Sequence, residues 1–392
     1  MGLANNDVAL GRALPRLFDQ PRRSGSLAIS TSVEVLRGQQ AVAARRDLLV
    51  ELCRRTGQAG AMDALEVSLD KPTSRAKIPY LVLVGSPDTM DWDTVTADDL
   101  DGAVLIYEYK IAGRGTGVFA TDNVNGEGTV IAQNYLRTDV AEAACQTLLN
   151  RGALTVMITL EGKTEARGTL GSREELTPPG RMGTRTREVP RYLLLGDTLD
   201  ATLAMLGRHT RRNLRYYRRR LETEVGAVFV PSVAMERAEF LEFNRTSMYP
   251  ASEAIAAWRY DAIQRTPNSL FAGVRARDGR WLSLIGGRRH SPVTEIDWQM
   301  NLAGLPRYSL STVMRSYILE HEIELGIREI VFIGGTPHSM RHSFVCRDAV
   351  DVIVQRRSVN AWLLRLLSRW IFPEKNFLGQ ALRDKDMRWT NW

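Results

Sequence analysis

The chain has 392 residues, 44% hydrophobic and 25% charged, with 52 Lys+Arg against 45 Asp+Glu and a formal charge of +7. That composition fits a soluble globular protein long enough for two ordinary domains, each with its own core. Three distant cysteines (Cys53, Cys145, Cys346), no HExxH-like histidine pattern, no signal-like start and no apolar run of transmembrane length exclude a disulfide framework, a metal motif and a membrane span, which points to a cytoplasmic protein.

Residues 1–26 are polar and Arg-rich with Pro15 and Pro21, and are expected to be a flexible N-terminus. Residues 39–56 read as a helix closed by Gly57 and Gly60, and Leu65–Leu69 and Tyr80–Val84 read as strands. An acidic stretch (Asp88, Asp91, Asp93, Asp98, Asp99, Asp101) lacks EF-hand order and is read as a solvated loop. Three strands are then predicted, at Ala103–Lys110, Gly117–Ala120 and Thr129–Ala132, the last two separated by the turn signal Asn125-Gly126. A helix over 139–149 with Gly152 past its end and a strand over 154–158 complete the block. Residues 161–190, rich in Gly, Pro, Arg and Thr, read as a linker or long loop.

The second half repeats the pattern. A strand at Tyr192–Leu195, a helix from about Asp200 and a strand at Ala227–Val230 are followed by helices over 235–248 and 252–264. Strands at Leu270–Val274, Trp281–Ile285 and Val293–Met300 precede a helix over 309–324 closed by Gly326 and a strand at 328–333. Gly152 and Gly326 stand 174 residues apart at matching places, so two copies of one module are expected. The tail holds an amphipathic helix with Trp362, Leu363, Leu366, Leu367, Trp370 and Ile371 on one face; packing on the second module and lying on an anionic membrane are its two readings.

The densest feature is Arg208–Arg220, with seven arginines and no acid until Glu222. As a helix it has a narrow seam of Thr210, Leu214, Tyr217 and Leu221 and a row of Arg208, Arg212, Arg215 and Arg219. Such a row is either a solvated basic face or an anion-binding surface for cofactor phosphates, tRNA or lipid headgroups.

The run Leu206 to Arg215, followed by Leu221-Glu222, resembles the CelD/BcsL-like acetyltransferase domain. That branch of GNAT-type acyltransferases is related to the FemAB aminoacyl transferases, which carry two GNAT-like modules. Matching segments continue through Leu270–Val274, Ile296-Asp297-Trp298, 318–326 and 330–335 to Phe344. The resemblance covers residues 192–345 well and the first module only in layout. It implies an α/β fold (α+β layered) of two GNAT-like modules, each a mixed, mostly antiparallel sheet flanked by helices. The corresponding division is a first module over 27–160, a linker over 161–191, an acyltransferase module over 192–350 and a tail over 351–392. Two departures stand out. Arg307 fits the pyrophosphate loop's first position, but Leu310 and Thr312 replace its small residues, and Met340-Arg341 stands where the family tends to have Tyr-Lys.

The implied activity is N-acyl transfer from an acyl-CoA, without metal, to an amine on a sugar, amino acid or peptide. An aminoacyl-tRNA donor and a non-catalytic descendant that binds an anion, a lipid surface or a protein partner are the alternatives; no DNA partner is expected. A location peripheral to the inner membrane face goes with the lipid alternative. Proton transfer from the amine needs a base, and Asp297 and Glu295 are the candidates on a strand whose polar positions alternate with Ile296, Trp298 and Met300. Arg307, Ser309, Ser311, Thr312 and Arg341 are the candidate donor-binding residues, although the hydroxyls would also serve as plain helix caps. His209, Arg211, Arg212, Asn213, Arg215 and His338 are the candidates for substrate contact.

Overall fold

The computed structural model describes residues 32–58, 61, 77–85, 91–111, 113–121, 129–161, 180–333, 345–371, 379, 382–383 and 388–391. The N-terminal segment, the Leu65–Leu69 strand, the Asn125-Gly126 turn, residues 162–179, His338, Arg341 and the 334–344 stretch lie outside the described residues.

The chain is mixed α/β and builds two modules with the same element order. In the first, β1 (Ser32–Arg37), β2 (Lys77–Gly85), β3 (Leu100–Ile111) and β4 (Arg114–Ala120) run antiparallel, each to the next. Helix α3 (Arg137–Asn150) then leads into β6 (Thr155–Glu161), which lies parallel to β4. The predicted long first helix is two short ones, α1 (Gln39–Ala43) and α2 (Arg46–Arg55). The expected third strand, near Thr129, is only the short β5 (Val130–Ala132) and pairs with β3. The antiparallel set is completed by β2, which the acidic loop separates from β3 in sequence but not in space.

In the second module β8 (Val228–Val230), β9 (Ser269–Arg275), β10 (Trp281–His290) and β11 (Val293–Asn301) are antiparallel, each to the next. Helix α8 (Leu310–Glu324) leads into β12 (Glu329–Phe332), parallel to β11. The helices α4 (Leu199–Ala204) and α5 (Arg208–Val225) precede β8, and α6 (Arg237–Thr246) and α7 (Glu253–Arg265) lie between β8 and β9. Gly152 and Gly326, with φ of 99° and 78°, both lie in the left-handed region just past α3 and α8. Glycine occupies that region without the Cβ clash other residues incur, which is why it marks both helix ends.

The modules are joined by an exchange of strands. β7 (Gly180–Leu194) follows β6 in the chain but pairs with β12, while β13 (Val345–Arg356) follows β12 but pairs with β6. β7 and β13 pair with each other, so one sheet runs β1-β2-β3-β4-β6-β13-β7-β12-β11-β10-β9-β8. Residues 180–190 are therefore a central strand rather than linker, and 351–356 belong to the sheet rather than to the tail. Buried Asp351 ties this junction together. It accepts hydrogen bonds from Thr159 Oγ1 at 2.8 Å and from Arg185 Nη2 at 2.8 Å.

Each module has a core on both sheet faces. In the first, α3 covers Val82, Val104, Ile106 and Val156, while α2 covers Leu81, Leu83 and Leu105 on the other side. In the second, α5 and α8 cover Leu270, Ala272 and Ile296, and α6 and α7 cover Phe271, Leu284 and Trp298. The tail helix α9 (Val359–Ile371) corrects its expected placement. Leu364 belongs to a core with Val118, Ala120, Met157 and Ile353, which puts α9, among the described residues, against first-module strands and β13 rather than the second module.

Candidate active site

Strand β11 is where the second module departs from regular geometry. Its register against β10 passes from Gly286↔Trp298 to Gly287↔Ile296, making Asp297 the extra residue of a β-bulge. The adjacent glycines permit it. A Cβ on Gly286 would sit 2.2 Å from the Trp298 ring, and one on Gly287 would sit 1.9 Å from the Glu295 carbonyl oxygen. The bulge resets the side-chain alternation. Ile296 packs toward α8, whereas Trp298 and Met300 pack toward α6 and α7. The expected single polar face of Glu295, Asp297 and Gln299 is thereby broken: Gln299 bonds to Asn301 Oδ1 at 3.0 Å and to Ser283 Oγ at 3.4 Å. On the other side, the parallel pairing with β12 reaches only to Ile296↔Phe332, while β11 continues to Asn301. Among the described residues, the pairing of the two parallel strands ends beside the bulge.

A groove lies on each side of this point. On the α7 side, Trp258, Arg259, Ile263, Gly287, Asp297 and Trp298 line a solvent-open space of ≈ 310 Å³. Asp297 is half-buried there. Burial pulls the Arg259 guanidinium below its ordinary range, and the opposite charge of Asp297 partly restores it. Arg259 lies 5.8 Å from the centroid of Trp298. Glu295 is in a different state, only 5% exposed and in a salt bridge with equally buried Arg288, with His290 Nε2 3.7 Å away. Withdrawing Glu295 from that pair to accept a proton would leave a buried guanidinium uncompensated. Asp297 has the open position and Glu295 the structural one.

On the α8 side, an open apolar groove of ≈ 450 Å³ runs between α5, α8 and the sheet. Thr312 lines it, and the turn before α8 explains how. Ser309 has φ 48° and Oγ 2.8 Å from Thr312 Oγ1, and its carbonyl accepts from the Thr312 and Val313 N–H groups. The Ser309 side chain therefore bonds the Thr312 hydroxyl and makes no side-chain cap. Leu310, one of the two residues larger than the family pattern, turns into the core beneath α8. Ser311 is half-buried in the first turn. Arg307 points elsewhere: its guanidinium donates to Tyr308 Oη and lies 3.8 Å from Glu224 of α5.

The arginine helix packs its predicted seam inward, with Leu214 and Leu221 buried and Thr210 and Tyr217 half-buried. Burying the two leucines contributes about 1.5–3 kcal/mol each. Arg218 is drawn into the α8 contact by Glu222 at 3.0 Å, Glu320 at 2.7 Å and the Tyr317 ring at 4.2 Å. Arg220 pairs with Glu224 at 3.0 Å. His209, Arg212, Asn213 and Arg215 are exposed, and Arg211 is half-buried. Arg215 reaches Asp200 at 2.7 Å, while Arg208, Arg211, Arg212 and Arg219 have no acidic partner within 4 Å among the described residues.

The structure thus distributes the sequence candidates over three places. Asp297 and Glu295 lie near the bulge, Thr312 and Ser309 at the α8 groove, and the arginine row on the outer face of α5. Sequence reasoning missed Trp258, Arg259 and Arg315. The Gly286-Gly287 pair inside a strand was the available signal for the bulge. Among the described residues no cluster of His, Cys, Asp or Glu is able to hold a metal, and no helix is long and apolar enough to cross a membrane.

No family model matches the chain, and no curated protein does. Solved structures with a similar trace include L-PGS from Bacillus licheniformis, at 13% identity and TM-score 0.44, covering 68% of this chain and 85% of that one. FemX matches at 10% identity and TM-score 0.44, over 73% of this chain and 89% of its own. A tandem GNAT protein from the clavulanic acid biosynthesis pathway matches at 10% and 0.41, over 83% and 99%. These names accord with the resemblance read from the sequence; at such scores the likeness carries no weight for the activity.

Proposed function

We propose that the protein is an N-acyltransferase that moves an acyl group from an acyl-CoA to an amine. One observation carries the reading: where β11 stops pairing with β12, a half-buried carboxylate faces one groove and an apolar groove lies on the opposite side of the same strand. A thioester held in the α8 groove would present its carbonyl at this point, and an amine would approach from the α7 side. The amine nitrogen bonds to the carbonyl carbon, the C–S bond breaks, and the thiolate leaves as Asp297 accepts the proton. The first turn of α8, with Ser309, Ser311 and Thr312, is suited by its dipole to the donor's phosphates. Glu295 holds Arg288 and the strand in place.

The test is release of free CoA thiol from an acyl-CoA in the presence of a panel of amino sugars, amino acids and peptides. Thiol release that depends on an amine, and falls ~10²-fold or more in Asp297→Asn, is expected. An unchanged rate in that variant would remove Asp297 from the mechanism. No thiol release with any amine in the panel, together with no acyl-CoA binding, would favour a non-catalytic protein.

A second reading, with aminoacyl-tRNA as donor, draws on the arginines of α5 that have no acidic partner among the described residues. Binding of bulk tRNA that falls steeply between two salt concentrations would support it, since each phosphate contact releases a counterion. Salt-insensitive binding, or none, would remove it.

A further inference from the structure

Helix α9 turns large apolar side chains to solvent and a narrower side to the protein. Val359, Trp362, Leu363 and Leu366 stand at i, i+3, i+4 and i+7, which is one helix face, and are 72%, 58%, 41% and 54% exposed. Ala361 and Leu364, two positions after Val359 and two before Leu366, point the other way and are 1% and 8% exposed. Leu364 meets Val118, Ala120, Met157 and Ile353 there. A surface helix ordinarily buries its wide apolar stripe and gives its polar side to water. Four large apolar side chains together on a surface mark a place where something docks.

The helix is not free to roll that face inward. Ser358 Oγ accepts from the Ala361 N–H at 3.2 Å, and buried Gln355 of β13 donates from Nε2 to the Ala361 carbonyl at 2.9 Å. Just before the helix, Arg356 Nη2 donates to the Leu149 carbonyl of α3 at 2.8 Å. Directional bonds as well as Leu364 fix the inner side, so the outer face is presented in a set orientation.

Charge selects the occupant. No acid lies between Arg356 and Ile371, a stretch that also holds Arg357, Arg365 and Arg369. Over residues 356–392 eight Lys or Arg stand against three Asp or Glu, so this segment carries +5 of the chain's +7. The excess remains when every acid of the segment is paired within it. A second copy docked face to face would bring two such segments together and is opposed by like charge. An anionic bilayer suits both features: its acyl chains take up the tryptophan and leucines, and its headgroups meet the positive charge. Thirteen residues are too few to span a bilayer, so such a helix lies in its surface.

We propose that the outer face of α9 docks the protein on an anionic lipid bilayer, with Val359, Trp362, Leu363 and Leu366 entering the interface.

Full-length protein is co-sedimented with vesicles of phosphatidylcholine alone, and of phosphatidylcholine mixed equally with phosphatidylglycerol or with phosphatidylserine. Both anionic mixtures bind, phosphatidylcholine binds ~10-fold or more weakly, and binding to the anionic mixtures falls as salt is raised. Trp362→Ser combined with Leu366→Ser, which changes no charge and alters two exposed positions, weakens binding by ~10-fold or more. Val228→Ser, 62% exposed on the outermost strand β8, leaves it unchanged. Circular dichroism confirms that each variant is folded, and sedimentation velocity without lipid reads the competing occupant, a second copy. Failure to bind either anionic mixture, equal binding to phosphatidylcholine, unaltered binding in the folded double variant, or a dimer that the double variant splits would overturn the proposal.

Discussion

Glu322 offers a direct test of how the second module is held around its site. Its carboxylate is fully buried at the C-terminal part of α8. It accepts from Arg289 Nη2 at 2.8 Å, from Arg289 Nε at 3.1 Å and from Thr294 Oγ1 at 2.5 Å. Arg289 is on β10 and Thr294 on β11, so one side chain fastens α8 to both strands just before the bulge. Glu322→Ala removes all of these bonds at once. The Thr294 hydroxyl, fully buried, is left without its acceptor at about 1–3 kcal/mol. The Arg289 guanidinium, 21% exposed, turns partly to water and costs less than a sealed charge would. The sum is a loss of about 3–5 kcal/mol. Urea unfolding followed by tryptophan fluorescence measures it, since Trp281 and Trp298 lie in the same module. Adding Thr294→Val to Glu322→Ala removes the orphaned hydroxyl and returns about 1 kcal/mol or more. A loss below about 1 kcal/mol in Glu322→Ala at unchanged urea slope would refute the reasoning, because a buried three-way carboxylate contact cannot be removed that cheaply.

Four other outcomes follow from the same geometry. Gly287→Ala drives a Cβ onto the Glu295 carbonyl oxygen and should cost about 1–3 kcal/mol along with amine-dependent thiol release; retention of both would mean the bulge is dispensable. Tyr80, whose hydroxyl donates to Glu108 at 2.8 Å, is pushed up to about 12 by burial and by that carboxylate. Raised above its ordinary 10, it contributes stability that is present below pH 10 and lost as pH climbs toward 12, so Tyr80→Phe should flatten the alkaline limb of the stability profile; an unaltered limb would contradict this. Leu364→Ala should cost about 2–5 kcal/mol by uncovering Met157 and Ile353, and a negligible change in the unfolding midpoint would show that α9 is not held there. Replacing Arg208, Arg212 and Arg219 by Gln removes like charges at helical spacing and should leave stability unchanged or raise it by about 0.2–0.5 kcal/mol per pair; a clear loss in thermal unfolding would mean these arginines have structural partners.

Much of the architecture was legible because local chemistry and tertiary fold agree in this chain. Gly152 and Gly326 marked equivalent helix ends since both positions need positive φ. The seam of Leu214 and Leu221 predicted the buried side of α5. The exchange of β7 and β13 was not legible. The stretch Arg181–Arg191 carries Gly, Pro and four arginines and looks like a loop, and its role as a central strand depends on partners more than 150 residues away, such as Asp351 for Arg185. The site was half legible for a related reason. Asp297 and Thr312 could be named from the sequence, but their separation onto different grooves depends on one inserted residue opposite Gly286-Gly287. A period-2 reading has no means to see a bulge unless the glycines are taken as its signal.

The central claim is that acyl transfer occurs where β11 stops pairing with β12. Amide hydrogen exchange read by mass spectrometry, with and without a saturating acyl-CoA, tests it without knowledge of the acceptor. Slowed exchange confined to peptides spanning 293–301 and 310–319 is the predicted result. Slowed exchange confined to α5, or no change anywhere, would contradict the account.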